Sequence, residues 1–401
     1  MAYQFSLDDV RYLTSAAGAD ALTAAAALPI TEATLLSDLT AMRRFASWHA
    51  AAVVETVRLR RRAVPKLGDR VANWLFTDES LQQASPWPVA EHRAARMVAA
   101  GNGVHDVTCS IGTDLAALAA AGCWPLLGSD LDQVRLAMAR FNAPAAPIVR
   151  ADALARTSTR LTPYADPARR TQGGRRITSI DTVPSVVELD AAYPDRPPVL
   201  RLPPGIDYDE LRRPGEVEIV SLDGTAREAV LWPVAFADGA VRRRASVLTS
   251  DGSGWQLTDV DDDGGAATLA APASSWIVDP DAAVVRAHLV RHYAASHQLH
   301  LLDQHLAYLS GARRPAGVRA FQVLDAAPFT ERTIAGWLRR DGVGTLEIKQ
   351  RGTPVIPDEL RRRLRPSMTD DTRTAATLIV ARIGDAPVAF WCRAAEPLPL
   401  S

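Results

Sequence analysis

Three acidic residues stand at intervals that suit the binding of an adenosine-containing cofactor. Asp106 ends a short apolar run, Asp130 ends a second run 24 residues later, and Asp152 follows a third. An acid after the second strand of a β-α-β unit accepts hydrogen bonds from ribose hydroxyls, at an expected offset of about 20 residues. An acid after the third strand could meet the exocyclic amine of an adenine. This spacing predicts a cofactor site at the ends of three neighbouring strands.

The turn that follows the first acid distinguishes between cofactors. Residues 107–113 are mostly small, but only Gly112 stands where a dinucleotide fingerprint requires three glycines. This composition argues against NAD and allows S-adenosylmethionine, which has no pyrophosphate to cradle. The bare motif is equally compatible with a structural turn of an α/β fold, so both interpretations stay open at this point.

The predicted elements around these acids alternate between strand and helix. Apolar residues recur at helical spacing from residue 1 to about 62, which predicts a small helical bundle. Strands separated by helices then lead to a β-meander over about 205–270, where Asp-Gly pairs mark tight turns. The pattern is helical again from Asp281, including residues 299–309, and about 315–395 alternates helix and strand. The sequence therefore predicts an α/β protein with a doubly wound sheet.

Composition limits the classes of function. The 401 residues are 47% hydrophobic and 23% charged, with a formal net charge of −1, so nucleic-acid binding would require local basic patches. The three cysteines show no metal-ligand spacing and suit a reducing cytoplasm. No apolar run reaches the ~18 residues of a membrane span, and no signal peptide is evident. We therefore expect a cytoplasmic protein with neither a metal nor a membrane partner.

The segments around the three acids resemble motifs I to III of class I S-adenosylmethionine-dependent methyltransferases. The chain is most similar to an actinobacterial-type subgroup that ends in a THUMP-like domain, over nearly its whole length, including residues 66–96, 166–170 and 346–352. The first loop departs from the usual Cys-Gly-Ile-Gly-Gly-Asp, because Ser110 and Thr113 replace two glycines. The resemblance implies that S-adenosylmethionine is bound by Asp106, Thr108, Cys109, Ser110, Gly112, Asp114, Asp130, Leu131, Asp152 and Ala153.

The same resemblance implies the domain organisation. A class I methyltransferase sheet would be preceded by an N-terminal helical region and followed by a small α/β module. The expected parts are an N-terminal helical region (1–95), the methyltransferase domain with its β-meander (96–275), a helical connector (276–314) and a THUMP-like domain (315–401).

Asp166 is the predicted catalytic residue. The segment Asp166-Pro167-Ala168-Arg169-Arg170 falls where amino-methyltransferases place an Asp/Asn-Pro-Pro-aromatic motif. Methyl transfer is an in-line displacement, so catalysis consists mainly of aligning an amine lone pair with the sulfonium methyl. A carboxylate can accept hydrogen bonds from that amine, but the aromatic residue of the motif is absent. Arg169 and Arg170 suit an anionic substrate; surface salt bridges are the alternative explanation.

The segment from Leu346 to Arg365 carries six basic and three acidic residues, a net charge of +3. In the THUMP-like resemblance this module would bind structured RNA, a tRNA or an rRNA, through its phosphate backbone. The sequence therefore predicts a methyltransferase acting on a base amine of RNA; the alternatives are a small-molecule methyltransferase and a protein that binds cofactor or RNA without catalysis. The predicted RNA contacts are Lys349, Arg351, Arg361, Arg362 and Arg363.

Overall fold

The computed structural model describes residues 3–169, 182–207 and 213–395. The chain forms two compact units, the first built mainly from residues up to 238 and the second mainly from residues 253 onward. No helix among the described residues is long and apolar enough to cross a membrane. The division into four parts at residues 95, 275 and 314 stays a prediction.

The N-terminal part of the first unit is helical, as predicted. Ser6 begins the first helix with a capping box, since its hydroxyl accepts from the Asp9 amide at 3.1 Å while the Asp9 carboxylate accepts from the Ser6 amide at 2.9 Å. The apolar stripes of the first five helices pack into one core centred on the long fourth helix, whereas the sixth helix packs with the sheet. The helices are α1 (Leu7–Leu13), α2 (Ala16–Ala26), α3 (Leu35–Ala46), α4 (Ala50–Leu67), α5 (Asp78–Gln83) and α6 (Trp87–Ala99).

A mainly parallel sheet follows, and in the first unit its strand order is β8-β9-β7-β4-β1-β2-β3. The strands of the parallel part are short and buried, except for the exposed edge strand β3. The elements are β1 (Val104–Asp106), α7 (Thr113–Ala120), β2 (Leu126–Asp130), α8 (Gln133–Asn142), β3 (Ile148–Arg150), β4 (Thr162–Ala165), β5 (Ala168–Arg169), β6 (Thr182–Val183), α9 (Val186–Ala192), β7 (Val199–Leu202), β8 (Glu216–Leu222) and β9 (Thr225–Trp232).

The sheet reverses its winding at β1. The chain proceeds from β1 through β2 to β3 on one side, then returns to place β4 on the other side of β1. The register pairs Asp106 with Gly128 on β2 and with Tyr164 on β4, so the carboxyl ends of the three strands share one edge. Ligands of doubly wound sheets bind in the crevice at such a switch point. The predicted doubly wound α/β class is confirmed.

Two polar contacts hold helices onto this sheet. The buried side chain of Asn142 bonds to the backbone of Leu75 at 2.9 and 2.8 Å and to the Ile111 carbonyl at 3.0 Å, so it joins the N-terminal helical region to the loop after β1. On α6, Arg96 pairs with the buried Glu216 at 2.6 Å. Buried polar groups are stable only when hydrogen-bonded, and both contacts meet that condition.

The second unit contains a seven-stranded sheet with the order β13-β14-β12-β15-β18-β17-β16. Two helices, Glu331–Asp341 and Pro357–Leu364, cover the β16 end of this sheet, and their apolar residues pack with Leu346 and Leu378 around Trp391. The strands of this unit are β10 (Arg243–Leu248), β11 (Gly254–Thr258), β12 (Trp276–Asp279), β13 (His300–Leu301), β14 (Leu309–Gly311), β15 (Arg319–Pro328), β16 (Thr345–Arg351), β17 (Ala375–Ile383) and β18 (Ala386–Ala395).

The structure corrects the prediction of helix for residues 299–309. Helices occupy Ala282–Arg286 and Val290–Ser296, but the chain then forms the short strands β13 and β14. The carboxylate of Asp303 explains the difference, because it accepts hydrogen bonds from the amides of His305 and Gly384, both at 2.8 Å. This turn and the pairing of β14 with β12 outweigh the local helical pattern.

Candidate active site

A small cavity of about 40 Å³ lies at the carboxyl ends of β1 and β4. It includes the predicted catalytic Asp166 together with several of the residues predicted to bind the cofactor near β1. Helix α5 closes one side through Ser80 and Gln83. The remaining lining residues are Ala84, Asp106, Thr108, Cys109, Ser110, Ile111, Thr113, Asp114 and Arg201.

Two residues of the loop after β1 have positive φ angles, which give the loop its tight conformation. Ser110 has a φ of 48° and Gly112 a φ of 84°. The amide of Ser110 donates to Asp130 Oδ2 at 3.1 Å, and the amide of Asp132 donates to Asp130 Oδ1 at 2.8 Å. Ser110 therefore adopts a positive φ, a backbone conformation that glycine, implied at this position by the family resemblance, takes easily. The Asp130 carboxylate has lone pairs left for a ligand, because each of its oxygens can accept two hydrogen bonds.

Several acidic side chains lie close together in the crevice at the strand ends. Burial, reinforced by the charge of Asp114, raises the pKa of the Asp106 carboxyl well above its usual range. Asp130 and Asp166 also act on this group. A ligand that carries a sulfonium and an ammonium would compensate such a concentration of carboxylates. The acidic residues of this crevice therefore fit S-adenosylmethionine.

The outer cofactor residues lie on the neighbouring strand ends. Leu131 follows Asp130 and is 56% exposed, which leaves an apolar surface beside the predicted ribose position. Asp152 is exposed and accepts from the Leu154 amide at 2.9 Å. Ala153 is buried, and its carbonyl accepts from the Tyr193 hydroxyl at 2.8 Å. Among the predicted residues, Cys109 borders the cavity, and most of its side chain is buried in the core below the loop.

Asp166 is fixed by both its backbone and its side chain. Its amide donates to Thr108 Oγ1 at 2.8 Å, which connects the loops after β1 and β4. Its Oδ2 forms an ion pair with the Arg201 guanidinium. Among the described residues, its other carboxylate oxygen has no hydrogen-bond partner, so it can accept from a substrate. Burial raises the pKa of Asp166 to about 6, although Arg201 opposes the shift.

Behind Asp166 lies a buried chain of alternating charges. Arg201 also pairs with Glu228 at 3.2 Å, Glu228 pairs with Arg93, and Arg93 pairs with Asp114 at 2.6 Å. Burial works against the charge of Arg93, yet Asp114 and Glu228 hold its pKa well above the ordinary value. This charge chain, defined as Asp166, Arg201, Glu228, Arg93 and Asp114, connects β4, β7, β9, α6 and α7.

Asp114, which was predicted to bind the cofactor, and Tyr164, an aromatic residue two positions before Asp166, are both engaged within the protein. Asp114 belongs to the charge chain and accepts from the Tyr164 hydroxyl at 2.8 Å, so both of its oxygens already have protein partners. The Tyr164 ring is fully buried, so it does not replace the missing aromatic residue of the motif after Asp166. Only the backbone of Arg169 is described, and Arg170 lies outside the described residues.

Arg201 and Glu228 were not predicted from the sequence. Arg201 is the single charged residue of the apolar strand β7, and Glu228 follows Arg227 in β9, directly before its apolar half. Charged residues are almost never fully buried unless they are paired. A charged residue in a buried strand was therefore the signal that the sequence offered. The sequence offered no means of pairing them, because the two residues are 27 positions apart and meet only when β7 and β9 align.

The cations predicted to bind RNA lie on two faces of the second sheet. Lys349 and Arg351 both pair with Asp279, at 2.6 and 3.0 Å, and lie over the rings of Phe321 and Tyr308. Ile348, the residue before Lys349, points to the opposite side and packs in the core beneath the two helices. Cations on β16 and cations on the helices therefore do not form one continuous patch.

The three arginines of helix Pro357–Leu364 differ in their surroundings. Arg361 donates to the Leu346 carbonyl at 3.1 Å and pairs with Asp358, while Arg363 pairs with Glu331 at 2.9 Å. Arg362 is exposed, and its side chain has no hydrogen bond or ion pair among the described residues. Of the five predicted RNA contacts, Arg362 alone is fully available to a ligand.

Comparison with known proteins identifies the family. An S-adenosylmethionine-dependent methyltransferase of Mycobacterium tuberculosis, recorded as uncharacterized in strains CDC 1551 and H37Rv, is 46% identical over 354 residues, which cover 85% of this chain and 96% of the relative. The chain belongs to the S-adenosylmethionine-dependent methyltransferases. Its cofactor is accordingly S-adenosylmethionine, as predicted.

Further similarities agree with this assignment to the methyltransferases. Residues 318–394 match the family described as THUMP domain-like, and residues 6–63 match a domain of unknown function. A crystal structure from Porphyromonas gingivalis W83, of a protein described as a methyltransferase, superposes with a TM-score of 0.72 at 20% identity and covers 98% of this chain and 100% of that one. The predicted fold, with its N-terminal helical region and small C-terminal α/β module, is confirmed.

The charge chain leads to a prediction about stability. Glu228→Gln removes the carboxylate that two buried guanidiniums share, and Glu228 is only 1% exposed. Removing one partner of a buried ion pair should lower the free energy of unfolding by about 3–5 kcal/mol. Urea unfolding measures this change. The matched control is Glu79→Gln, whose acid is 60% exposed in its pair with Arg135 and should change stability by ~0–1 kcal/mol. Equal effects of the two substitutions would contradict the role given to Glu228.

Proposed function

We propose that this methyltransferase transfers a methyl group to a base amine of structured RNA, with Asp166 orienting the amine. The observation that carries this proposal is the position of Asp166 at the switch point, with one oxygen held by Arg201 and one oxygen free among the described residues. The geometry supplies a hydrogen-bond acceptor in a fixed position and no strong base. Methyl transfer needs this arrangement, because the bound sulfonium provides the electrophile and the lone pair of the amine is the nucleophile.

In this proposal the cofactor lies along the ends of β1, β2 and β3. Asp130 accepts from the ribose hydroxyls, Leu131 contacts the adenine face and Asp152 accepts from the adenine amine. Asp106 would face the cationic end, beside the loop in which the amides of Ser110 and Gly112 already donate to Asp130 and to the Cys109 carbonyl. Each assignment rests on the place of the residue at its strand end and on the excess of carboxylates in the crevice.

The amine would be held by Asp166 from the neighbouring strand. Arg201 keeps the carboxylate in place, so the free oxygen points in a constant direction while the amine donates to it. The Asp166 amide is bound to Thr108, which fixes the loop relative to the cofactor loop. Alignment matters because an error of even ~1 Å can cost on the order of a hundredfold in rate.

The RNA substrate is proposed from the THUMP domain-like match at residues 318–394. Such a module would bind the phosphate backbone and recognise A-form RNA by shape. Arg362, exposed on its helix, is the strongest single candidate for a phosphate contact, while Arg361 and Arg363 flank it.

A small-molecule methyltransferase is the second candidate, and one observation favours it. Four of the five predicted RNA-binding cations, Lys349, Arg351, Arg361 and Arg363, already have acidic partners in the protein. Paired cations contribute less to the field that attracts a polyanion. The two candidates differ in whether total cellular RNA accepts the methyl group.

The cofactor assignment predicts that Asp130→Ala weakens the binding of S-adenosylmethionine by about 1.5–3 kcal/mol, because hydrogen bonds to a charged acceptor are removed. Isothermal titration calorimetry measures the dissociation constant. Asp195→Ala is the matched control, since that carboxylate is 81% exposed at the opposite edge of the sheet. Wild-type affinity in Asp130→Ala would remove the ribose assignment.

The pKa of Asp166 predicts a pH dependence. The carboxylate is the acceptor, so turnover should be complete above pH ~7 and fall as the pH drops through the pKa of about 6. Asp166→Asn should be slower and lack this inflection, because its amide oxygen accepts at every pH. Single-turnover rates between pH ~5 and ~8 test both expectations. The catalytic assignment fails if Asp166→Ala transfers methyl at the wild-type rate.

The substrate class is tested by incubating the protein with radiolabelled S-adenosylmethionine and total RNA, and in parallel with the nucleotide-free metabolite fraction. Methyl incorporation into RNA is expected. Arg362→Glu should weaken RNA binding across sequences and flatten the log–log salt slope by about one unit for each phosphate that the protein no longer neutralises. The control is Arg373→Glu, an arginine that is 89% exposed and already paired with Asp371. Label found only in the metabolite fraction would establish the second candidate.

A further inference from the structure

The corner between α3 and α4 exposes an unusual combination of side chains. Trp48 is 84% exposed and Phe45 is 64% exposed. Both residues lie within the region that matches a domain of unknown function, at residues 6–63. Tryptophan is normally highly buried, because its ring contributes a large apolar area to a core. Two solvent-exposed aromatic rings at one corner therefore indicate a ligand-binding surface.

The backbone at this corner keeps Trp48 outside the core. Ser47 ends α3 with a positive φ of 51°, and the chain then makes a single 3-10 turn over Ser47–His49. The neighbouring His49 turns inward, where its ring stacks on Tyr12 at 4.4 Å and bonds to Asp9 at 2.8 Å. The position of Trp48 thus follows from a fixed turn in which the adjacent residue is anchored.

The same corner holds two arginines without partners. Arg43 and Arg44 occupy the last turn of α3 and are exposed, and their side chains have no hydrogen bond or ion pair among the described residues. Every other lysine or arginine between positions 3 and 99 has a protein partner. Those partnered residues are Arg11, Arg58, Arg60, Arg61, Arg62, Lys66, Arg70, Arg93 and Arg96.

We propose that this aromatic-arginine corner, defined as Arg43, Arg44, Phe45 and Trp48, binds unpaired nucleotides of RNA. Exposed rings stack on bases, and every base offers a face for stacking, while free guanidiniums neutralise the phosphates beside it. Duplex RNA hides its base faces, so the corner should prefer single strands and loops. The inference rests on the proposed RNA substrate and adds the kind of RNA feature that the protein holds outside its active site.

The test measures binding of a short fluorescein-labelled oligouridylate to the full-length protein by fluorescence anisotropy. Trp48→Ala should weaken binding about 5- to 150-fold, the range expected when one base can no longer stack. Trp48→Phe should keep most of the affinity, because phenylalanine still stacks. Arg43→Ala with Arg44→Ala should flatten the salt slope by about 0.7 for each phosphate of the single strand that is no longer neutralised. The wild-type protein should bind the same sequence less tightly as a duplex.

Two matched controls separate stacking at this corner from general stickiness. Trp124→Ala removes another tryptophan that is 74% exposed, and Leu36→Ala removes an apolar side chain that is 80% exposed on the same helix. Both variants should bind as the wild type does. The proposal is overturned if the wild-type protein does not bind the oligonucleotide or if Trp48→Ala binds it normally. Binding to anionic lipid vesicles is measured in parallel. A Trp48→Ala variant that loses vesicle binding and keeps oligonucleotide binding would identify the corner as a lipid-binding surface and also overturn the proposal.

Methyl transfer is measured in the same variants, so that the two proposals fail in different ways. RNA methylation together with normal oligouridylate binding by Trp48→Ala overturns the corner alone. Oligouridylate binding that depends on Trp48, without any methyl transfer to RNA, overturns the proposed reaction and leaves the corner as an RNA-binding surface.

Discussion

The carboxylate of Glu228 is the group on which the site depends most. It lies between the guanidiniums of Arg93 and Arg201, in a region from which water is almost excluded. Two buried cations on one acid would be unstable alone, so Asp114 and Asp166 complete the balance at the two ends. As a result, Asp166 is positioned by ion pairs that originate in the core of the sheet and in α6. In the proposed reaction, a carboxylate held in this way needs little reorganisation when substrate arrives.

The cofactor side of the crevice relies on backbone geometry as much as on charge. Ser110 stands where the family resemblance implies a glycine, and the structure shows it with the positive φ that a glycine would adopt easily. The hydrogen bond from its amide to Asp130 helps to hold that conformation. Asp130 thereby shapes the loop and remains able to accept from a ribose, because a carboxylate can accept about four hydrogen bonds. The departure from the family motif is thus accommodated locally.

The charged residues at the surface are mostly paired with one another or with backbone carbonyls. Arginine is abundant on the surface, yet most guanidiniums of the N-terminal helices bond to carbonyls or acids, and those of the C-terminal module are largely paired as well. With a net charge of −1, the chain has no general attraction for a polyanion. The proposed binding of RNA would then depend on a few unpaired cations and on stacking, which gives Arg362 and the aromatic-arginine corner more weight than the number of basic residues suggests.

The sequence alone determined the order of strands and helices around β1 and the three strand-end acids, since these depend on local periodicity and on spacing within single β-α-β units. The cofactor was predicted from the resemblance of these segments to class I methyltransferases. The sequence also located Asp166 directly after a strand. Only the tertiary structure decided what surrounds Asp166, because Arg201 and Glu228 come from strands that pair far from it along the chain. The same holds for Lys349 and Arg361, close in sequence but on opposite faces of a sheet. Strand pairing and burial are non-local, and no residue pattern within one segment specifies them.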